Sequence, residues 1–430
     1  MHWYLLSLVH SSIVPGSLIV LLTVLSLLPP ARSFGQDWPQ INGATRNGFA
    51  AQEKLLTEWP ADGPRKIWSH PVGQGFSGPA VVGKQLIVFH RPAANYWAEA
   101  LETDTGKLIW KVELPSRYDG GGPDQDNGPK AVPLIHRGRV YLFGTGGNLF
   151  CLSLKDGETI WEKNVLTIYK SPSGYFGAGS SPIVVQERLL LNVGGDQAAV
   201  VAFDLETGDE LWKSFDDRAS YSSPIEAQIN GQTTAVFVTR MHLIGLEPDT
   251  GKLLFETPFG QRGPTVNGAM PVFANDHLFI NSAYGVGARW LSTTRGKLEK
   301  VWANDESFSS HYSTPIFLDG HLYGTAGRED FADGDFRCIE AATGQVKWME
   351  AGIPVGHTLC VDGQLLLLDC QGSLHRIAPS ATEFKRIRSA KILDGPSRSM
   401  PAISNGRLFA RTNASNKMGE LSSFQIGESK

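Results

Sequence analysis

The alternation of apolar and polar residues divides much of the chain into short β-hairpins of one form. Between Val200 and Lys213, an apolar strand leads into an acidic turn with Thr207-Gly208, and a second strand ends on Trp212. Glycine supplies the positive φ angle that such a turn requires, and tryptophan is favoured on a half-buried, pleated surface. The segment therefore predicts two antiparallel strands joined by a tight turn.

The same hairpin recurs along the chain at intervals of 36 to 51 residues. A second mark, a small residue followed by any residue and then proline, precedes a strand at seven places, and a degenerate copy lies around Gly356-His357-Thr358. A self-similar unit of this size is typical of a repeat array. The eight aromatic residues that end the hairpins are Trp68, Trp110, Trp161, Trp212, Phe255, Trp302, Trp348 and Phe384.

Each repeat predicts four short strands, and helical periodicity of any length is absent after residue 33. In the third repeat we expect strands at Pro182–Val185, Arg188–Asn192, Ala199–Leu205 and Glu210–Phe215. The fold class is therefore all-β, an eight-bladed β-propeller of four-stranded antiparallel blades. The last repeat has room for three strands only, so the N-terminal strand Arg65–Ser69 is expected to complete that blade and close the ring.

The first 33 residues have a different character from the repeats. An apolar run from Ile13 to Leu28 is followed by Ala31-Arg32-Ser33, which has small residues at the positions that precede a signal-peptidase cleavage site. We predict a signal peptide at 1–33, a single propeller domain at 34–430, and an exported protein in the periplasm or outside the cell. The alternative is an uncleaved N-terminal membrane anchor, because Leu5 to Leu28 nearly reaches the length of a membrane span.

Charge and cysteine content narrow the class of protein further. The net charge of −4 offers no basic stripe, which argues against a nucleic-acid partner. Four cysteines occur without any Cys-x-x-Cys pair, and we expect them to be buried thiols, with Cys360 opposite Leu365 across a turn at Asp362-Gly363. We expect a monomer with no membrane span after signal cleavage.

The hairpin motif resembles that of a known family. The Thr-Gly-x-x-x-Trp segments at Thr105–Trp110, Thr207–Trp212 and Thr343–Trp348 are similar to the signature of the pyrroloquinoline quinone (PQQ)-repeat β-propellers. The opening Asp37-Trp38-Pro39-Gln40 is also similar to the start of many exported bacterial members. The resemblance covers about residues 36–427 and extends to both BamB-like propellers and quinoprotein alcohol dehydrogenases.

The resemblance implies two functions. The dehydrogenases carry an adjacent-cysteine disulfide beside the quinone, acidic and Asn ligands for calcium, and often a haem domain, whereas this sequence has neither an adjacent cysteine pair nor a haem motif. We therefore expect a binding or scaffolding module of the cell envelope without catalytic residues or a bound cofactor. The alternative is a PQQ-dependent alcohol dehydrogenase-type enzyme with a divergent site that binds PQQ with calcium.

Strand direction predicts where a site would lie. The loops before the first strand and after the second strand of every blade must lie at one end of the propeller, and loops on a rigid scaffold commonly carry function. At this end the sequence places cations and other polar residues, which favour an acidic envelope or secreted protein partner. The candidate residues on this face are Arg91, Asp126, Arg240, His311, Arg328, His357 and Arg398.

Two acidic loops are weaker candidates for calcium. The segments 119–127 and 329–335 both place oxygen donors at close spacing, which hard cations require. Neither follows the order of an EF-hand loop, and acidic glycine-rich runs are more often plain loops.

Overall fold

Repetition of the hairpin produces a ring of separate sheets. A computed structural model of the protein describes residues 37–118, 120, 126–263, 265–294, 297–331, 334–413 and 418–428. Its strands form eight sheets, each with four antiparallel strands, and one sheet gains a fifth, parallel strand. The predicted eight-bladed β-propeller is confirmed.

Blades 1 to 7 each use four consecutive strands. The first four blades comprise Ala80–Val82, Gln85–His90, Tyr96–Glu102 and Leu108–Leu114; Leu134–His136, Arg139–Phe143, Asn148–Ser153 and Thr159–Asn164; Ile183–Val185, Arg188–Gly195, Ala198–Asp204 and Glu210–Ser214; and Ile225–Ile229, Gln232–Val238, His242–Leu246 and Leu253–Pro258. Blades 5 to 7 comprise Val272–Ala274, His277–Ser282, Gly287–Ser292 and Glu299–Asn304; Ile316–Leu318, His321–Ala326, Asp335–Glu340 and Val346–Ala351; and Gly356–Val361, Gln364–Asp369, Ser373–Ala378 and Lys385–Lys391. A short helix, Val165–Ile168, and a 3₁₀ turn, Glu329–Phe331, lie between strands.

Blade 8 joins the two ends of the described chain. It combines Ala402–Ser404, Arg407–Arg411 and Gly419–Gln425 with the N-terminal strand Lys66–Val72. Trp68 lies opposite Ser423 in this antiparallel pair. The predicted closing strand is therefore confirmed, and it extends three residues beyond the expected end at Ser69.

The hairpin motif holds neighbouring blades together. The indole of Trp212 donates a 2.9 Å hydrogen bond to the carbonyl of Pro248 in the next blade. A Cβ atom on Gly251 would lie 2.4 Å from the Trp212 ring, and Gly251 has a φ of +72°, so both space and conformation require glycine there. Six tryptophans use this contact, with carbonyl acceptors at Thr103, Leu154, Leu205, Pro248, Ala341 and Ser380.

The proline-containing marks form an inner ring. The residue in the middle of the mark presents its side chain toward the channel, and its hydroxyl, where present, accepts a backbone N–H from the preceding blade. Ser181 accepts from Val132, Ser223 from Ser181, and Thr314 from Met270, all at 2.9 Å. Small hydroxylated residues recur there because they satisfy buried backbone donors between blades.

The N-terminal segment 37–59, which we call the plug, was not predicted from the sequence. It enters beside the turn at Gly83, crosses the channel, and returns as the strand Phe49–Ala50, which pairs in parallel with Gly356–Val361. The backbones of Trp38 and Val81 are hydrogen-bonded to each other. The plug therefore closes the channel between the two ends of the propeller.

All four cysteines are buried and free, as expected, and Cys360 lies opposite Leu365. Among the described residues, no helix has both the length and the apolar character needed to cross a membrane. The predicted signal peptide at 1–33 falls outside the described residues and stays a prediction.

Candidate functional site

The plug provides the floor of a cavity at one end of the channel. We call the end that carries the loops before each first strand the mouth face, and the opposite end the turn face. A cavity of about 180 Å³, the mouth pocket, opens near the axis on the mouth face, and Ile41 of the plug lines it. Its other lining residues include Phe76, Lys130, Val132, Tyr221, Met270, His311, Tyr312, His357, Arg398 and Met400.

Arg46 fixes the plug below this pocket. Its guanidinium is buried and donates to the carbonyls of Pro182 and Pro224 and to Gln40 Oε1, the last two at 2.8 Å. Burial lowers the pKa of Arg46 to about 9. Because these two prolines begin the inner strands of blades 3 and 4, Arg46 ties the plug to the channel wall.

Equivalent positions of the repeat build the mouth pocket. The residues just before the proline-containing marks are Phe76, Lys130, Gly179, Tyr221, Gly268, Tyr312 and Arg398, and all of them line it. The same structural position thus carries an aromatic ring, a cation or only hydrogen in different blades. This variation makes the pocket asymmetric within a nearly symmetric ring.

His311 and His357 lie on one wall of the pocket, on either side of Tyr312. The ring centres are 5.5 Å and 5.2 Å from that of Tyr312. His311 Nε2 is 2.9 Å from the hydroxyl of Tyr284, and His357 Nε2 is 2.8 Å from the carbonyl of Arg398. The Nδ1 atoms of both rings have no hydrogen-bond partner among the described residues. Burial lowers the pKa of both imidazoles, which favours their neutral forms.

The rim of the pocket combines opposite charges. Arg398 Nε donates to Glu329 Oε1 at 2.6 Å, and the hydroxyl of Tyr312 donates to Glu329 Oε2 at 2.7 Å. Burial and the adjacent Glu329 carboxylate raise the pKa of Tyr312 well above its ordinary value. Nearby, Arg328 pairs with Asp330 through both carboxylate oxygens and lies 4.2 Å from the centre of the Tyr284 ring. The predicted cations at the rim are therefore paired with carboxylates.

Arg91, Asp126 and Arg240 lie on the mouth face but stabilise its loops. Arg91 donates to the carbonyls of Ala93, Tyr118 and Asn127, and Arg240 donates to the carbonyl of Gly263 and to Thr265 Oγ1. The carboxylate of Asp126 accepts the N–H groups of Gly75 and Gly128. The structure therefore brings His311, His357 and Arg398 together at the pocket, with Arg328 next to them, and places the other three candidates elsewhere.

Sequence reasoning missed Phe76 and Ile41 and undervalued Glu329. Phe76 could have been found from the repeat itself, because it occupies the position before the first proline-containing mark. Ile41 carries no such signal, since the plug occurs once in the chain. Glu329 was assigned to an acidic calcium loop, although its oxygens are held by Arg398 and Tyr312.

The described carboxylates of the second acidic loop are held apart by separate arginine partners. In the second loop Asp330 pairs with Arg328, Asp335 pairs with Arg337, and Glu329 points to Arg398. Residues 119 and 121–125 of the first loop and 332–333 of the second lie outside the described residues. Among the residues that are described, no cluster of three His, Cys, Asp or Glu side chains is placed to hold a metal ion.

Whether the mouth pocket can hold PQQ with calcium depends on the oxygen ligands that its lining residues offer. Calcium takes about six to eight oxygen ligands, largely carboxylates and carbonyls. The described lining of the mouth pocket has no carboxylate, and the adjacent carboxylate of Glu329 is already bound by Arg398. The described residues therefore do not fit PQQ with calcium at this position.

Solved structures match most of the chain. BamB from Moraxella catarrhalis matches with a TM-score of 0.60 and 14% identity, over 84% of this chain and all of that one. A europium-containing methanol dehydrogenase matches with a TM-score of 0.68 and 12% identity, over 92% of this chain and 99% of that one. Identities this low show the fold alone.

Sequence comparisons place the chain more narrowly. Outer membrane protein assembly factor BamB of Burkholderia pseudomallei is 24% identical over 308 residues, which is 61% of this chain and 75% of that protein. Quinohemoprotein alcohol dehydrogenase ADH-IIG of Pseudomonas putida is 30% identical over 121 residues, but these are 27% of this chain and only 16% of that enzyme. The family model described as outer membrane protein assembly factor BamB matches residues 46–170 and 94–350. Because these ranges span more than half of the sequence, the protein belongs to this family of PQQ-repeat propellers.

Proposed function

We propose that the protein is an exported, non-catalytic docking module of the cell envelope, and that its mouth pocket receives a side chain of a partner protein. The similarity to assembly factors of the outer membrane supports the envelope setting. The apolar run that precedes Ala31-Arg32-Ser33 supports export to the periplasm or beyond.

The closed floor of the mouth pocket carries this proposal. With about 180 Å³ and Ile41 at its base, the pocket is smaller than the range of about 300–1,000 Å³ that is typical of ligand sites. Aromatic and apolar groups from several blades, among them Phe76, Tyr312 and Met400, surround it. Partner side chains that fill such desolvated pockets commonly supply most of the binding energy of an interface.

Charges around the pocket suggest the character of the partner. Lys130 donates to the carbonyl of Asp126 at 3.2 Å and lies 5.0 Å from the centre of the Phe76 ring, which places an ammonium at the rim. Arg398 lies 5.2 Å from the same ring. An acidic segment beside the inserted side chain can share these two cations with the pocket's own acceptors. We therefore propose a partner segment with one apolar anchor and adjacent carboxylates.

A blocked pocket tests the proposal. Val132→Phe places a ring into the mouth pocket, whereas Val184→Phe makes the same change in a half-buried residue of the cavity on the turn face. We expect Val132→Phe to weaken capture of the envelope partner at least about tenfold, as for loss of an anchor contact. Val184→Phe should leave capture unchanged.

A second variant of the mouth pocket keeps the test valid if Val132→Phe does not fold. Phe76→Ala removes a half-buried wall of the pocket and should also reduce capture. Equal capture by the wild type, Val132→Phe and Phe76→Ala would refute docking at the mouth pocket. Loss of capture with Val184→Phe alone would place the docking surface at the turn face.

Partial matches to quinoprotein dehydrogenases favour a second candidate, a quinone-dependent oxidoreductase with a divergent site. Addition of PQQ with calcium chloride should then raise the unfolding temperature and support reduction of a dye by an alcohol. Neither effect is expected for a docking module.

A further inference from the structure

A second cavity on the mouth face has the size of a ligand site. This cavity, which we call the side cavity, has a volume of about 460 Å³ and is lined by loops and strand ends of blades 1 to 5. It adjoins the mouth pocket at Tyr221 but lies away from the axis. Its volume falls within the range of about 300–1,000 Å³ that accommodates small molecules.

Asn192 of the side cavity has an unsatisfied amide. The residue is 2% exposed, and neither its Nδ2 nor its Oδ1 has a hydrogen-bond partner among the described residues. A buried polar group without a partner is destabilising, and native proteins rarely keep one without a reason. Two other polar groups of the cavity are satisfied: Asn267 donates to the carbonyl of Thr239, and Ser220 donates to the carbonyl of Val238.

The geometry of the amide indicates the chemistry of its ligand. A carboxamide presents one donor and one acceptor side by side, so two neighbouring hydroxyl groups can satisfy both. Because both amide atoms of Asn192 are buried, only a compact ligand group that inserts between the lining side chains reaches them. Tyr118, Tyr175 and Tyr221 also line the cavity, and their rings offer apolar surfaces to a sugar ring.

An exposed cation at the cavity points to an acidic ligand. Arg218 lines the side cavity and is exposed, and its guanidinium is suited to bidentate pairing with a carboxylate. We propose that the side cavity binds a saccharide residue that carries a carboxylate, with vicinal hydroxyls on Asn192 and the carboxylate on Arg218. The saccharide is either a free uronic acid or the end of an acidic glycan, since both present this chemistry.

Saturation-transfer NMR on the wild-type protein tests the proposal with defined probes. Glucuronate and a glucuronate-terminated oligosaccharide represent the two sources, glucose lacks the carboxylate, and a capped dipeptide represents a protein ligand. We expect transfer to one or both uronates and less transfer to glucose. Absence of saturation transfer to every saccharide would overturn the proposal, because Asn192 would then be satisfied by water alone. Transfer to the dipeptide and to no saccharide would also overturn it.

Two variants at equivalent positions locate the site. Asn192→Leu removes both polar atoms, and Asn281→Leu makes the same change at the equivalent strand position of blade 5, where the amide is also buried and without a partner among the described residues. We expect Asn192→Leu to lower uronate affinity at least about tenfold while folding persists, because an unsatisfied polar group is replaced by an apolar one. Asn281→Leu should bind like the wild type, and equal binding by both variants would refute the site.

Arg218→Gln gives a third variant that leaves the buried amide intact. We expect it to abolish the preference for glucuronate over glucose. A preserved preference would remove Arg218 from the site. Failure of saccharide binding leaves docking at the mouth pocket untouched, because Val132 and Phe76 are not among the residues that line the side cavity.

Discussion

The outer ring and the mouth pocket use the same repeat in opposite ways. Around the outside, six tryptophans make the same hydrogen bond to the next blade, and a glycine of the next turn packs on the ring of five of them. Around the mouth, the residue before each proline-containing mark differs from blade to blade, and two histidines keep an unpaired Nδ1 within the described structure. Identical positions with identical residues stabilise the ring, whereas identical positions with different residues form the specific surface.

Truncation is expected to have the largest effect, because it acts on the closure of the ring itself. A chain that begins at Gly73 lacks both the plug and the strand Lys66–Val72, and leaves Gly419–Gln425 with an unpaired edge. We expect it to aggregate, since exposed edges pair between molecules. Size-exclusion chromatography and thermal unfolding measure the outcome.

A second truncation separates the plug from closure. A chain that begins at Pro60 keeps the closing strand and loses the plug. We expect a monomer with a lower unfolding temperature. Aggregation of this shorter truncation to the same extent would mean that the plug, rather than the closing strand, maintains the ring.

The tryptophan contacts provide the next largest effect. Trp212→Ala removes a buried ring and its hydrogen bond to Pro248, and should cost about 3–5 kcal/mol of unfolding free energy. Phe384→Ala should cost less, because that phenylalanine is only half-buried and has no N–H to donate. Urea unfolding of both variants measures the difference, and equal losses would show that the hydrogen bond and the deeper burial contribute nothing.

The histidines of the mouth pocket predict how stability depends on pH. Burial lowers the folded-state pKa values of His311 and His357, so these rings stay neutral when the unfolded chain takes up protons below about pH 6.5. Stability should therefore be fully present above that pH and fall as the pH decreases below it. Between pH 7 and pH 5, the free energy of unfolding from urea titrations should decrease less for the double variant His311→Gln/His357→Gln than for the wild type. His90, whose pKa burial also lowers, leaves a residual slope. An unchanged slope would exclude the pair as its source.

The smallest expected effects come from single ion pairs, one on the outer ring and one at the rim of the mouth pocket. Lys163→Gln breaks an outer pair with Asp209, whose side chain is 73% exposed, and should leave the unfolding temperature almost unchanged, because exposed ion pairs contribute little stability. Arg398→Gln leaves Glu329, which is only 14% exposed, without its cation and should cost about 1–2 kcal/mol. Thermal unfolding in low and high salt measures both, and equal costs would contradict the distinction between the two regions.

The sequence predicted the features that repeat and missed those that occur once. Eight aromatic residues, together with seven proline-containing marks and one degenerate copy, determined the blade number, and a missing fourth strand identified the segment around Trp68 as the closing strand. Strand direction placed seven candidate residues on the mouth face, but it did not indicate how deeply their side chains are buried or which groups they bind within the protein. The sequence therefore did not show that Arg91 and Arg240 donate hydrogen bonds to their own loops. It also did not show that Glu329 pairs with Arg398. The plug has no second copy, so no pattern indicated its path.

Photocrosslinking tests most directly whether the mouth pocket is the docking surface. A photoreactive phenylalanine analogue at position 76 lies on the pocket wall, whereas the same analogue at position 84 lies on an exposed turn of the turn face. We expect an envelope protein to be crosslinked from position 76 and not from position 84, and we expect Val132→Phe to abolish the adduct. A crosslink from position 84 alone, or an adduct at position 76 that persists in Val132→Phe, would contradict docking at the mouth pocket.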